Sequence, residues 1–342
     1  MLPHENTTRL LSLENEIAIR PAGRGIEAPP RSRARSTHTS RPNAPAPLMD
    51  RTSWVMLISL SVLWGGSFFF TEIALVDLPP LTLVLCRVSI AAIVLWWVVL
   101  LRDIPIPRDP KFWGAIAVMG ALNNLVPFCL IVWSQTHITS GLAAILNATT
   151  PLFTLLIAHI ATDSEKLRPR KAIGVLIGFG GVILIFGVPT SGTEFGLLAP
   201  AAVLLAAFSY GCAGVFGRRF AETPPILTAA GMTSASSLML LPLSIMIDQP
   251  WHLPVPTTAT ILAVLGFATL STALAYILYF AILKRAGASN LLLVTFLIPV
   301  SAILLGVGFL DEILMAQHII GMVVIGVGLV IIDGRLLSKR YN

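Results

Sequence analysis

The chain has 342 residues, of which 55% are hydrophobic and only 12% are charged, about half the charged share usual in soluble domains. With a mean hydropathy of +0.83 it has too little polar surface for an ordinary cytosolic enzyme and too much apolar mass for a disordered chain. The net charge of +6 would suit a nucleic-acid binder, but the placement of the charges argues for a membrane instead.

Residues 1–52 come first and stand apart. They carry Arg31, Arg33 and Arg35 together with Pro29, Pro30, Pro42, Pro45 and Pro47, a composition that cannot bury a core and reads as a disordered cytoplasmic tail. The tail lacks the apolar stretch of a secretory signal, and Glu5, Glu14, Glu16 and Glu27 set it apart from a transit peptide. An alternative start at Met49 would make residues 1–48 an extension outside the translated protein.

A helix needs about 20 apolar residues to cross the hydrocarbon core. Ten such runs follow: Trp54–Leu75, Leu81–Leu101, Phe112–Trp133, Thr139–Ile160, Ala172–Val188, Gly196–Phe216, Ile226–Ile247, Thr257–Leu283, Ser289–Leu310 and Ile319–Ile332. They do not alternate polar and apolar residues, which excludes a closed β-barrel. The expected fold is an all-α membrane protein with ten transmembrane helices. A short tail, residues 333–342, follows the last run.

Basic residues gather in cytoplasmic loops. Here the tail holds eight arginines, and the remaining clusters follow the second run (Arg102, Arg108, Lys111), the fourth (Lys166, Arg168, Arg170, Lys171), the sixth (Arg218, Arg219), the eighth (Lys284, Arg285) and the tenth (Arg335, Lys339, Arg340). The loops after the odd-numbered runs carry no Lys or Arg. This alternation places both termini in the cytoplasm and makes the basic character a topology and lipid-headgroup signal, with no nucleic-acid partner. The remaining basic residue, Arg87, lies inside the second run.

The first and last five runs read as copies. Thr150-Pro151-Leu152 corresponds to Ile298-Pro299-Val300. A glutamate follows each proline, Glu165 after 14 residues and Glu312 after 13. Glycines stand 9 residues beyond each glutamate, Gly174 and Gly321, and again 7 further on, Gly181 and Gly328. Because five is odd, the copies must be threaded in opposite senses, which puts Glu165 and Glu312 on opposite faces. Inverted repeats of this kind are an architecture of secondary transporters.

Several motifs in order resemble the EamA permeases of the drug/metabolite transporter superfamily: Trp64-Gly65-Gly66-Ser67-Phe68, Pro80 followed by Arg87, Ala143-Ala144 and Pro151 leading to Glu165-Lys166-Leu167, Ser271-Thr272-Ala273-Leu274-Ala275-Tyr276, and Pro299, Glu312 and Gly321. The resemblance runs through residues 53–332 and implies two inverted five-helix repeats, 53–188 and 196–332. It also implies a central cavity for small metabolites and a place among permeases that include exporters of amino acids and related compounds.

The candidate site residues follow from polarity inside the apolar runs. Arg87 is costly near the bilayer centre; it reads either as a counter-charge for a carboxylate or phosphate, or as a structural arginine that snorkels outward or pairs with Glu72. Asn123, Asn124 and Asn147 need partners from a neighbouring helix or a wet cavity. Trp64 and Tyr276 suit an amphipathic pocket, or packing. Pro151 and Pro299 each remove a backbone donor, which would free the carbonyls of Asn147 and Thr295 and allow gating at a helix break. Glu72 is also the one acidic candidate for coupling within a run. Glu165 and Glu312 read as caps at helix starts.

Cys86, Cys129 and Cys212 form no CxxC. No metal-ligand spacing, Walker motif or nucleophile with a base stands out, so no catalytic residue, metal or cofactor is assigned. The expected function is transport of small organic solutes, amino acids or drug-like compounds, by alternating access in the inner membrane and more in the export direction. The alternatives are a membrane-embedded enzyme or sensor, or an importer of phosphorylated or nucleotide-sugar metabolites.

Overall fold

The computed structural model describes residues 50–162, 169–186, 196–291 and 293–333. The N-terminal tail, Glu165 and residues 334–342 lie outside the described residues.

Among the described residues every regular element is helical. In chain order they are α1 (Arg51–Ala74), α2 (Pro80–Leu101), α3 (Pro110–Gln135), α4 (Ser140–Ala161), α5 (Pro169–Phe186), α6 (Leu198–Phe216), α7 (Pro225–Ile247), α8 (Thr258–Gly287), α9 (Val294–Phe309) and α10 (Ala316–Asp333). Seven of them, α1 to α4 and α6 to α8, are long and apolar enough to cross a membrane, while α9 and the Ala316–Ile332 stretch of α10 are shorter apolar helices.

Local chemistry sets the helix starts. Asp50 caps α1 by accepting from the Ser53 amide at 3.0 Å. Thr139 and Thr257 cap α4 and α8. Prolines open α2, α3 and α7, where a missing N–H costs nothing. Within the helices, hydroxyls fold back onto carbonyls four residues earlier, as in Thr71 to Ser67, Ser234 to Ala230 and Ser237 to Thr233. That satisfies a polar group without water.

Large apolar side chains face outward on most helices, among them Ile93, Ile160, Leu176, Leu238, Met246 and Leu304. An apolar exterior of this extent suits hydrocarbon as the solvent.

The packing repeats across the two halves. Helices α5 and α10 meet at glycines: a Cβ on Gly174 would stand 2.7 Å from the Gly328 carbonyl oxygen, and one on Gly181 would stand 2.8 Å from that of Gly321. Contacts that advance on one helix as they retreat on the other make the pair antiparallel. The sequence repeat equates Gly174 with Gly321 and Gly181 with Gly328, so exchanging the halves turns one contact into the other. The same holds for α1 on α9 and α6 on α4. A Cβ on Gly65 would lie 2.9 Å from the amide nitrogen of Ala302, and one on Gly211 would lie 3.0 Å from that of Thr154. Ala302 and Thr154 each stand three residues after the matched prolines. The residue beyond the cap of α2, Asp103, and that beyond the cap of α7, Gln249, are both left-handed, with φ of 46° and 47°.

Two features depart from regular helix at matched places. Helix α3 carries a π-helical turn at Ala121–Leu125 and α8 carries one at Thr269–Leu274. Helix α4 breaks at Ala148 and Thr149, and Pro151 opens its second half. Helix α9, in contrast, runs on through Pro299; a helix break at that proline is not observed.

Candidate functional site

The π-helical turns hold the polar residues of the interior. Asn123 and Asn124 sit in the first, Ser271 and Thr272 in the second. A π turn adds a residue to the helical circuit and often marks a functional position. Here the Thr272 hydroxyl donates to the carbonyl of Phe267, five residues back, at 2.9 Å.

Arg87, on α2, lies against this second turn and is buried. Its Nε donates to Thr272 Oγ1 at 2.9 Å. The guanidinium carbon lies 3.6 Å from the ring centre of Phe128 on α3 and 4.0 Å from that of Phe267 on α8. Tyr210 on α6 and Tyr276 on α8 are close enough to interact with its charge. Arg87 therefore joins three helices, α2, α3 and α8, drawn from both halves. It does not pair with Glu72: among the described residues no carboxylate lies within ion-pair distance of it. Glu72 instead accepts from Gln135 Nε2 at 3.4 Å and feels the charge of Glu312. The two residues sit on adjacent helices, but Arg87 turns toward α3 and α8.

Tyr276, one turn beyond Thr272 on α8, engages the amides. Its hydroxyl donates to Asn124 Oδ1 at 3.1 Å and lies 3.1 Å from Asn123 Nδ2, which donates to it. Asn124 is fully buried, and its Nδ2 has no partner among the described residues. An aromatic path then leads from Tyr276 to Phe280, Tyr279 and Trp64, with ring centres 6.5, 5.1 and 5.6 Å apart in turn. The structure thus brings together Arg87, Asn124, Tyr276 and, through two intervening rings, Trp64.

Asn147 is placed differently, at the break in α4. Its carbonyl accepts from the Thr150 hydroxyl at 2.7 Å, so the oxygen expected to be free is taken. Its side-chain Oδ1 is buried without a partner among the described residues. No hydrogen bond or ring contact given for the described residues joins Asn147, Pro151 or Pro299 to Arg87, Asn124 or Tyr276.

Sequence reasoning passes over Phe128 and Phe267, and quotes Thr272 only within a motif, without a site role. The rings look like any others in an apolar run. The paired polar residues Asn123-Asn124 and Ser271-Thr272, each in mid-run, were the available signal of a shared local feature. Among the described residues there is no group of three or more His, Cys, Asp or Glu side chains suited to a metal ion.

Residues 52–187 and 197–333 each match the EamA-like transporter family. The chain belongs to that family. The two matches are the two halves related by the packing above.

Among the relatives is a protein of Bacillus subtilis (strain 168) named "Uncharacterized transporter YoaV", 25% identical over 80% of this chain and 94% of its own length. The "Uncharacterized inner membrane transporter YedA" of Escherichia coli (strain K12) is 27% identical over 83% and 92%. A Salmonella typhimurium protein named "Probable amino-acid metabolite efflux pump" is 24% identical over 83% and 95%. A solved crystal structure aligns with a TM-score of 0.62 at 21% identity, covering 84% of this chain and 98% of that one, a likeness of fold. The EamA-like chain is a membrane transporter, and the family and these relatives are transporters rather than enzymes.

Proposed function

We propose that this EamA-like protein moves small organic metabolites, amino acids or drug-like solutes, out of the cell across the inner membrane by alternating access. In this reading all ten helices cross the bilayer as two inverted five-helix repeats, and both termini are cytoplasmic. The solute binds where the repeats meet, among Arg87, Asn124, Tyr276 and Trp64, with Asn147 and the break before Pro151 contributing from α4.

The observation that carries the reading is Arg87. A buried cation in an apolar bundle is expensive, and here it is supported by one hydroxyl and two ring faces, with no carboxylate beside it among the described residues. That arrangement leaves room in the charge balance for an anionic group on a solute. The unpartnered Asn124 amide adds a donor of the same polarity. The antiparallel match of α5 and α10 supports the inverted repeats, and the relative named as a probable amino-acid metabolite efflux pump supports the solute class and direction.

Purified protein in proteoliposomes, assayed for uptake and efflux over a panel of amino acids and their amides, tests the reading. Transport is expected for solutes bearing a carboxylate, with Arg87→Ala and Asn147→Ala each reducing the rate at least about tenfold, the effect of about 1.4 kcal/mol in transition-state free energy. Wild-type rates in both variants would overturn the site. Repeating the assay with and without a pH gradient reads proton coupling directly.

A further inference from the structure

Three carboxylates on one face of the protein each reach across to a helix start in the other half. Asp77, between α1 and α2, accepts from the Thr257 amide at 2.8 Å and from the hydroxyls of Thr257 and Thr260 at 2.7 and 2.6 Å, all at the start of α8. Asp248, at the end of α7, accepts from the Thr82 amide at 2.6 Å and its hydroxyl at 2.8 Å, in the first turn of α2. Glu312, between α9 and α10, accepts from the Ser140 amide at 2.7 Å and the Gly141 amide at 3.1 Å, at the start of α4. Each satisfies amide donors that a helix leaves open and sits at its positive end. Glu312 was expected at a helix start; the start it caps belongs to the other half.

The opposite face differs. Among the described residues, the ion pair found there joins Asp50 to Arg285 at 2.6 Å, with side chains 47% and 52% exposed, where solvent screens the attraction. Glu222 in Glu222-Thr223-Pro224-Pro225 holds the place that Asp77 holds in Asp77-Leu78-Pro79-Pro80. It is exposed, and it accepts no hydrogen bond among the described residues. One acid of the matched pair is engaged and its mate is idle.

We propose that Asp77, Asp248 and Glu312 form the gate of their face: in this conformer they hold the two halves together there, and they release when that face opens. The alternating-access reading gives the gate its purpose, and the gate itself is testable without a solute.

The test is a distance measurement. Cys86, Cys129 and Cys212 are replaced by Ala, and spin labels are attached through Val76→Cys and Val255→Cys, two positions 78% and 91% exposed beside the Asp77 contact with α8. Double electron–electron resonance of the parent in lipid nanodiscs is expected to give mainly one short separation. Combining Asp77→Ala, Asp248→Ala and Glu312→Ala is expected to add a longer population, Asp77→Asn alone to add a smaller one, and Asp50→Ala on the opposite face to add none.

An unchanged distribution in the combined variant, with parental helicity and monodisperse elution, would overturn the gate. Should the combined variant misfold, Asp77→Ala and Glu312→Ala are read singly by the same criterion. A lengthened distance in a protein that transports nothing would sink the transport reading and leave the gate standing; unchanged distance beside active transport would do the reverse.

Discussion

Arg87 illustrates how a single residue was legible and its partners were not. A lone guanidinium in an apolar run announces itself from composition. Its surroundings depend on which face of α2 meets α3 and α8, which no local pattern encodes. Two ring contacts on a desolvated guanidinium are worth about 2 kcal/mol or more, comparable to the insertion cost of roughly 3 kcal/mol. Arg87 therefore needs no ion pair with Glu72 to be tolerated. Asp77 was silent for the opposite reason: an acid in a short loop looks like any solvated charge until its acceptor geometry is seen. The hydrogen bonds from Thr260 and then Thr257 hold its carboxyl below the ordinary value of 3.8. A carboxyl lowered in the folded state stabilises above the ordinary value, and the contribution disappears as pH falls through the lowered one. Thermal unfolding in detergent should therefore find Asp77→Ala less stable than the parent at pH 7, with the gap closing as the pH drops below about 4. A gap of constant size down to acid pH would show that the Asp77 charge plays no part. Asp50 is lowered too, chiefly by Arg285, and because it is present in both proteins it cancels in the comparison.

At the scale of elements, the apolar runs located the helices closely, because length and hydropathy decide where a backbone can satisfy itself in hydrocarbon. The π-helical turns in α3 and α8 stayed hidden, since they require no signature residue, and the break before Pro151 without one at Pro299 shows that matched prolines do not enforce matched kinks. The structure separates the glycines of α5 that touch a neighbouring helix from those that do not. A Cβ on Gly181 would lie 2.8 Å from the Gly321 carbonyl oxygen and 2.9 Å from the Ile325 amide, whereas one on Gly180 would meet nothing within 4 Å. Backbone atoms cannot step aside as a flexible side chain does. Gly181→Ala should cost about 1–3 kcal/mol through overpacking. Gly180→Ala, one residue away, should be neutral or up to about 1 kcal/mol stabilising through helix propensity. Melting temperatures of the two variants against the parent check this. Equal effects would mean that α5 and α10 are not packed at these glycines.

At the scale of the whole molecule, the duplication was readable because a proline, a glutamate and two glycines recur at spacings that differ by one residue at most, and the family match covers both copies. Orientation is a different kind of property: it depends on how the basic loops meet the membrane potential and lipid headgroups, and the bundle alone carries no such information. The structure does sort the charges, with Asp77, Asp248 and Glu312 gathered at one end and Arg285 paired with Asp50 at the other. If positive charge faces the cytoplasm, the carboxylate end faces outward, and the gate proposed for it is the outer one. Helix α9, of 16 residues, spans about 24 Å at about 1.5 Å per residue, shorter than the roughly 30 Å hydrocarbon core; local thinning of the bilayer accommodates such a helix at modest cost. Two cysteine reporters on a background lacking the native cysteines decide the orientation. Val255→Cys lies in the loop between α7 and α8, and Ile106→Cys in the loop between α2 and α3; both parent side chains are exposed, at 91% and 45%. A membrane-impermeant maleimide should label the first in sealed right-side-out vesicles and the second only after lysis. The reverse pattern would turn the protein over and put the carboxylate gate on the cytoplasmic side. Labelling of both in sealed vesicles would break the alternation of loops on which the ten-span topology rests.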